Sequence, residues 1–135
     1  MVAVAGLWEL AWNTPIKEIE LWIHPLRDFG CDEFYMAPVT GIAADVTEVP
    51  DLGELIAEQR SNRPIVFVDE AGQTPLHDFV HPDDPLYVFG KTSLSPLVAY
   101  GREEDQSVFV STVWNRGLLW ADQAAVLVLY DRMLK

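Results

Sequence analysis

From Val2 to Leu10 the chain is mostly apolar, as a buried strand is. Asn13-Thr14-Pro15 then reads as a cap followed by proline in the first turn, so a helix begins near Pro15. Ile16, Ile19, Leu21, Trp22, Ile23 and Leu26 form its apolar face. Lys17, Glu18 and Glu20 interrupt that face on the other side, Pro25 is placed to kink or end the helix, and Phe29-Gly30 closes it. Glu33 to Ala37 is a short strand, and the segment from Thr47 leads into an acidic amphipathic helix with a polar exit at Arg60 to Arg63.

Ile65 to Val68 is a clean apolar strand with Asp69 at its carboxyl end, and Leu76, Phe79 and Val80 suggest a short helix before His81-Pro82. Leu86 to Phe89 is a second buried strand ending in Gly90. After a less regular stretch from Lys91 to Gln106, Val108 to Val110 is another. Leu118 to Met133 reads as a helix apolar nearly all round, which requires cover on most sides, partly from a second subunit.

Strand and helix patterns thus alternate, which predicts an α/β fold with a mainly parallel sheet and helices on both faces. Such sheets take ligands beyond the carboxyl ends of their strands. That selects Gly90 to Ser95, Val110 to Gly117 and the turn after Val68.

The length of 135 residues predicts a single domain over 1–135, and 50% hydrophobic residues supply a core. The longest wholly apolar run, Ala124 to Tyr130, is too short to span a membrane. Met1 to Trp8 carries no positive leader before Glu9, so a cytoplasmic chain is expected. Cys31 is the one cysteine, which excludes an intrachain disulfide and a Cys-rich zinc site and suits a small buried residue.

Charge narrows the partners. Nine Lys+Arg against 21 Asp+Glu give a net charge of −12, the reverse of an autonomous phosphate-gripping protein. His77 and His81 have the i, i+4 spacing of a helical metal pair, but Pro82 breaks the helix and no third separated ligand is evident, so no metal is expected. The turn after Gly90 lacks the glycine-lysine arrangement of a P-loop. The acidic clusters Asp69-Glu70, Asp83-Asp84 and Glu103-Glu104-Asp105 read as solvated loop charges.

Leu86-Tyr-Val-Phe-Gly with its Ser-rich turn, then Val108-Phe-Val-Ser-Thr-Val-Trp-Asn-Arg-Gly-Leu-Leu-Trp-Ala-Asp-Gln-Ala-Ala-Val-Leu-Val-Leu-Tyr, resembles two motifs of the SpoU class of the SPOUT superfamily. These are knotted, S-adenosylmethionine-dependent RNA methyltransferases. The family pattern is a strand ending in a glycine loop, a strand ending Ile-Pro-Met, and Ser-Leu-Asn opening an Ala-rich helix that ends in Tyr. Counting back from Tyr130 sets Leu118-Leu119-Trp120 on Ser-Leu-Asn and Val110-Ser111-Thr112 on Ile-Pro-Met. Pro15 to Gly30 resembles the first motif, an Asn-bearing helix with a catalytic Arg before Phe-Gly. The resemblance covers about Pro15 to Tyr130. The departures fall on polar positions: His24 on that Arg, Glu18 on the Asn, Lys91-Thr92 on a Ser-Glu, and Leu118 and Trp120 on Ser and Asn.

The resemblance implies a C-terminal trefoil knot, S-adenosylmethionine as cofactor, tRNA or rRNA as substrate and a homodimer that completes the site. It sets Val68, Phe89, Gly90, Lys91, Val110, Thr112, Leu118 and Leu119 around the cofactor, held largely by backbone groups. His24 then reads as a general base or as a residue near the helix end, and Arg27, one turn on, as the missing guanidinium or as a surface ion-pair partner. The alternative is a non-catalytic dimeric binding module that keeps the fold and cofactor binding. RNA, if bound, is held weakly, through Arg27, Lys91, Arg116 and Arg102.

Overall fold

The computed structural model describes every residue except 43, 44, 92, 114, 117 and 118, with only the backbone described at 115 and 116. In chain order the elements are β1 (Val2–Leu7), α1 (Pro15–Asp28), β2 (Cys31–Ala37), β3 (Thr47–Glu48), α2 (Leu52–Gln59), β4 (Ile65–Val68) and β5 (Thr74–Pro75). A 3-10 turn (Leu76–Asp78), β6 (Leu86–Phe89), α3 (Pro96–Tyr100), β7 (Gln106–Phe109), β8 (Ser111–Thr112), β9 (Asn115–Arg116) and α4 (Ala121–Leu134) follow.

Among the described residues the main sheet has seven strands in the order β3-β2-β1-β6-β4-β7-β5, and all its pairings are parallel. Strand alternation divides the core in two. Val2, Val4, Val66, Val68, Tyr87 and Phe89 face α1 and α4. Ala3, Ala5, Ile65, Phe67, Leu86 and Val88 face α2, with α3 packed at its margin. This is the doubly covered parallel sheet that the near-continuous apolar runs predict.

Helix α1 starts where its cap signal lies: the Thr14 hydroxyl accepts the Lys17 amide N–H at 3.3 Å and Pro15 opens the first turn. Pro25 does not end it. The carbonyl that loses its bond is that of Leu21, an exposed residue, so it opens toward water and the helix runs on to Asp28. Helix α4 starts later than its apolar pattern suggests, at Ala121. Trp120 is its cap residue, with its amide N–H bonded to Gln123 Oε1 at 3.0 Å. Before it, Asn115 and Arg116 form a small antiparallel ribbon with Ser111 and Thr112. Arg60 ties the end of α2 to the loop after α3, with Asp105 Oδ2 and the Tyr100 carbonyl within 2.7 Å of its Nη2.

The far end of α4 is clamped by a polar network. Lys135 Nζ donates to the carbonyls of Leu76, His77 and Phe79, and Arg132 to those of Pro82 and Asp83. His81 is buried among them, Nδ1 at 2.7 Å from the Tyr87 hydroxyl and Nε2 at 2.7 Å from Asp131. Burial holds the His81 pKa below its ordinary 6.5 despite Asp131, so the ring is neutral: Nε2–H donates to Asp131 and Nδ1 accepts the Tyr87 hydroxyl. Burial also opposes ionisation of Asp131, but hydrogen bonds from Lys135 and His81 outweigh it and hold the carboxyl below its usual range.

As pH falls through 6.5, the unfolded chain takes up a proton that folded His81 refuses, so the fold loses stability. The melting temperature is therefore expected to drop between about pH 7.5 and pH 5.5, and His81→Asn to drop less over the same range. Glu18, whose raised pKa acts with the opposite sign, is common to both proteins and cancels in the comparison. Equal slopes in scanning calorimetry would contradict the neutral, buried imidazole.

Candidate ligand-binding site

Beyond the carboxyl ends of β4, β6 and β7 lies a cavity of about 580 Å³, within the range that small-molecule sites occupy. Its apolar lining is Val68, Phe89, Val110, Leu119, Ala121 and Ala124. Its polar lining is Glu9, Asp69, Glu70, Lys91, Ser93 and Ser95, with Gly90, Leu94 and Trp120 between.

Each wall has a local cause. Asp69 braces two loops: Oδ1 accepts the Ala71 amide at 2.9 Å and Oδ2 the Ser95 hydroxyl at 2.6 Å. Ser95 also caps α3, accepting the Val98 amide N–H, with Pro96 in the first turn. Between β6 and α3 the chain closes on itself, the Lys91 amide bonding to the Leu94 carbonyl at 3.1 Å and the Leu94 amide to the Lys91 carbonyl at 3.0 Å. Gly90 is required there, because a Cβ at that position would sit 2.6 Å from both the Leu94 carbonyl oxygen and Pro96 Cδ.

The β1–α1 turn is held by a buried carboxylate. Glu18, read in the sequence as part of a polar interruption, is only 4% exposed. Its Oε2 accepts the Glu9 amide at 2.8 Å and its Oε1 the Trp22 indole N–H at 3.4 Å. Burial raises its pKa; those two bonds oppose the rise, while the charges of Glu9 and Asp122 add to it. A second carboxylate, Glu48, gathers the Trp8 indole, the Thr40 amide and hydroxyl and the Gly41 amide. Burial resists its ionisation, and these donors outweigh that and hold its pKa low. Cys31 is buried, and burial pushes its thiol up to about 12, well away from a reactive thiolate.

Of the residues singled out from sequence, Val68, Phe89, Gly90, Lys91, Val110 and Leu119 line this one cavity. Thr112 lies outside the lining, exposed in β8. Leu118, with Thr92, Trp114 and Gly117, falls outside the described residues. His24 and Arg27 are exposed on α1 and do not line the cavity of their own chain. Sequence reasoning set the turn after Val68 at the ligand end of the sheet but read its acids, Asp69 and Glu70, as solvated loop charges, and it read Glu9 only as the acid after an apolar start.

A second cavity of about 510 Å³ surrounds the His81 network, lined by His77, Asp83, Arg132 and Lys135 among others. Among the described residues no group of three or more His, Cys, Asp or Glu side chains is arranged to hold a metal ion, and no helix is long and apolar enough to cross a membrane.

The parallel α/β fold of this chain is similar to that of solved SpoU and RNA methyltransferases. One is the SpoU methyltransferase AviRb from Streptomyces viridochromogenes in complex with S-adenosylmethionine. It matches 99% of this chain and 57% of its own at 20% identity and a TM-score of 0.71. An rRNA methyltransferase from Sinorhizobium meliloti, also with S-adenosylmethionine bound, matches 96% of this chain and 54% of its own at 13% identity and a TM-score of 0.67. A Bacillus anthracis protein assigned to the RNA methyltransferases is covered over 94% of its length at 13% identity and a TM-score of 0.67. The chain spans somewhat under three fifths of the AviRb chain. No family model and no curated protein sequence matches the chain.

Proposed function

We propose that the chain is a divergent SPOUT-superfamily methyltransferase that takes S-adenosylmethionine into the carboxyl-end cavity and transfers its methyl group to RNA, as a cytoplasmic homodimer. The observation that carries the reading is that cavity: its lining comes from the loops after β4 and β6, from Val110 and from the start of α4, in a fold that binds this cofactor elsewhere. The donor set fits the ligand. Val68, Phe89, Val110, Leu119 and Ala124 offer an apolar bed for a heterocycle, while the carboxylates suit hydroxyls and a cation. When bound, the cofactor would supply an electrophilic methyl group on its sulfonium.

The trefoil knot belongs to the same reading. His24 as base and Arg27 as guanidinium are assigned to the site completed by the second subunit, because both are exposed on α1 of their own chain. Ile16, Leu21, Leu127, Tyr130 and Met133, exposed along α1 and α4, are the apolar surface assigned to the dimer contact.

RNA is expected to bind weakly and with strong salt dependence. Arg60, Arg63, Arg132 and Lys135 are engaged inside the fold; exposed Lys17, Arg27 and Arg102, with Lys91 at the cavity, are the described cations assigned to phosphates. A non-catalytic cofactor-binding module is the second reading, favoured by Leu118 and Trp120 in place of Ser and Asn. Incubation with methyl-labelled S-adenosylmethionine and total RNA separates the two. Label in RNA is the expected result, binding without transfer favours the module, and absence of binding sinks both. Sedimentation at micromolar concentration is expected to give a dimer; a monomer would contradict the shared site.

A further inference from the structure

We propose that Glu9 determines ligand specificity in the carboxyl-end cavity, selecting a ligand with a net positive charge over its net-neutral, zwitterionic counterpart: sulfonium S-adenosylmethionine over thioether S-adenosylhomocysteine. The inference rests on the cofactor reading above.

Among the described residues, the charged ones lining the cavity are three acids, Glu9, Asp69 and Glu70, and one base, Lys91. They do different work. The two oxygens of Asp69 brace the Ala71 amide and the Ser95 hydroxyl, so this group holds the loops together.

Glu9 is presented from a rigid base. Its amide N–H donates to buried Glu18 at 2.8 Å, and its carbonyl accepts the amides of Trp12 at 3.1 Å and Asn13 at 2.9 Å. Three backbone bonds thus fix the Glu9 backbone at the cavity wall, which lowers the ordering cost of a ligand contact by this residue. Behind it stands Glu18, itself immobilised by the Trp22 indole, and Asp122 in the first turn of α4 adds to the same negative field. An anionic wall of this kind attracts a cation and is indifferent to a neutral thioether. A unit charge about 4 Å from another in a water-like medium is worth about fivefold in affinity.

The test is calorimetric titration of the full chain and of Glu9→Gln with each of the two ligands, at low and at high salt. The unsubstituted chain is expected to bind S-adenosylmethionine at least about fivefold more tightly than S-adenosylhomocysteine at low salt, with the ratio shrinking as salt rises. Glu9→Gln is expected to lower the ratio by about the fivefold that one charge supplies, chiefly by weakening S-adenosylmethionine, with an unchanged far-ultraviolet spectrum reporting an intact fold. Equal affinities in the unsubstituted chain, or an unaltered ratio in Glu9→Gln, overturn the proposal and leave the cofactor reading standing. Failure of both ligands to bind overturns both.

Discussion

Replacing Trp22 with alanine is expected to cost about 3–5 kcal/mol of stability, the largest loss from any single truncation on the α1 face of the sheet. Trp22 is 2% exposed and meets two rings edge-on, Phe34 with a centroid separation of 5.6 Å and Phe89 at 5.7 Å. The backbone is shaped around it. A Cβ on Gly6 would lie 3.2 Å from both the far edge of the indole and Met36 Sδ, so β1 carries a glycine where a strand otherwise prefers a side chain. Alanine would leave a cavity between α1 and the sheet, take one hydrogen bond from buried Glu18 and remove the prop behind Phe89, which lines the ligand cavity. Thermal unfolding should shift downward by on the order of 10–20 °C. Trp22→Phe, which keeps ring packing but not the indole donor, should lose markedly less. A shift of only a few degrees for Trp22→Ala would show that α1 is not seated on the sheet as described.

Gly90→Val is expected to abolish measurable binding of S-adenosylmethionine while the protein stays folded. Even the first added carbon would stand 2.6 Å from the Leu94 carbonyl oxygen, and that oxygen is the acceptor for the Lys91 amide. Relief requires the closed turn from Lys91 to Leu94 to open, which moves Lys91, Ser93 and Leu94 on the cavity wall together. Overpacking of this kind costs roughly 1–3 kcal/mol, a loss the rest of the sheet tolerates, whereas a preorganised wall displaced by an ångström forfeits its fit. Circular dichroism and calorimetry on the same sample separate the two effects. Undiminished affinity would place the ligand elsewhere.

The sheet was legible in the sequence because its strands are buried on both faces: Ile65 to Val68 and Leu86 to Phe89 are apolar at every position and admit few other readings. The loops beyond them followed from topology alone, and most of the residues picked there do meet at one cavity. Short elements were less legible. β3, β5 and β8 have two residues each, and their pairing depends on neighbours that are distant in sequence. Helix α3 carried the same serine-or-threonine cap and proline signal that marks α1, in Ser95-Pro96, but five residues are too few for an apolar period to emerge. The burial of Glu18 was hidden for another reason. Its acceptors are satisfied by the Glu9 amide and the Trp22 indole, and only the second of these partners, one helical turn away, has a readable spacing. Glu9 depends in turn on that buried carboxylate, so its place on the cavity wall required the fold.

Amide hydrogen exchange with and without saturating S-adenosylmethionine tests most directly whether the cavity beyond β4, β6 and β7 holds the cofactor. Slower exchange is expected at Gly90, Lys91, Leu94, Val110 and Leu119, with no change around His81 at the opposite end of α4. Protection confined to the His77 to Lys135 cavity, or none at either end, would contradict the assignment.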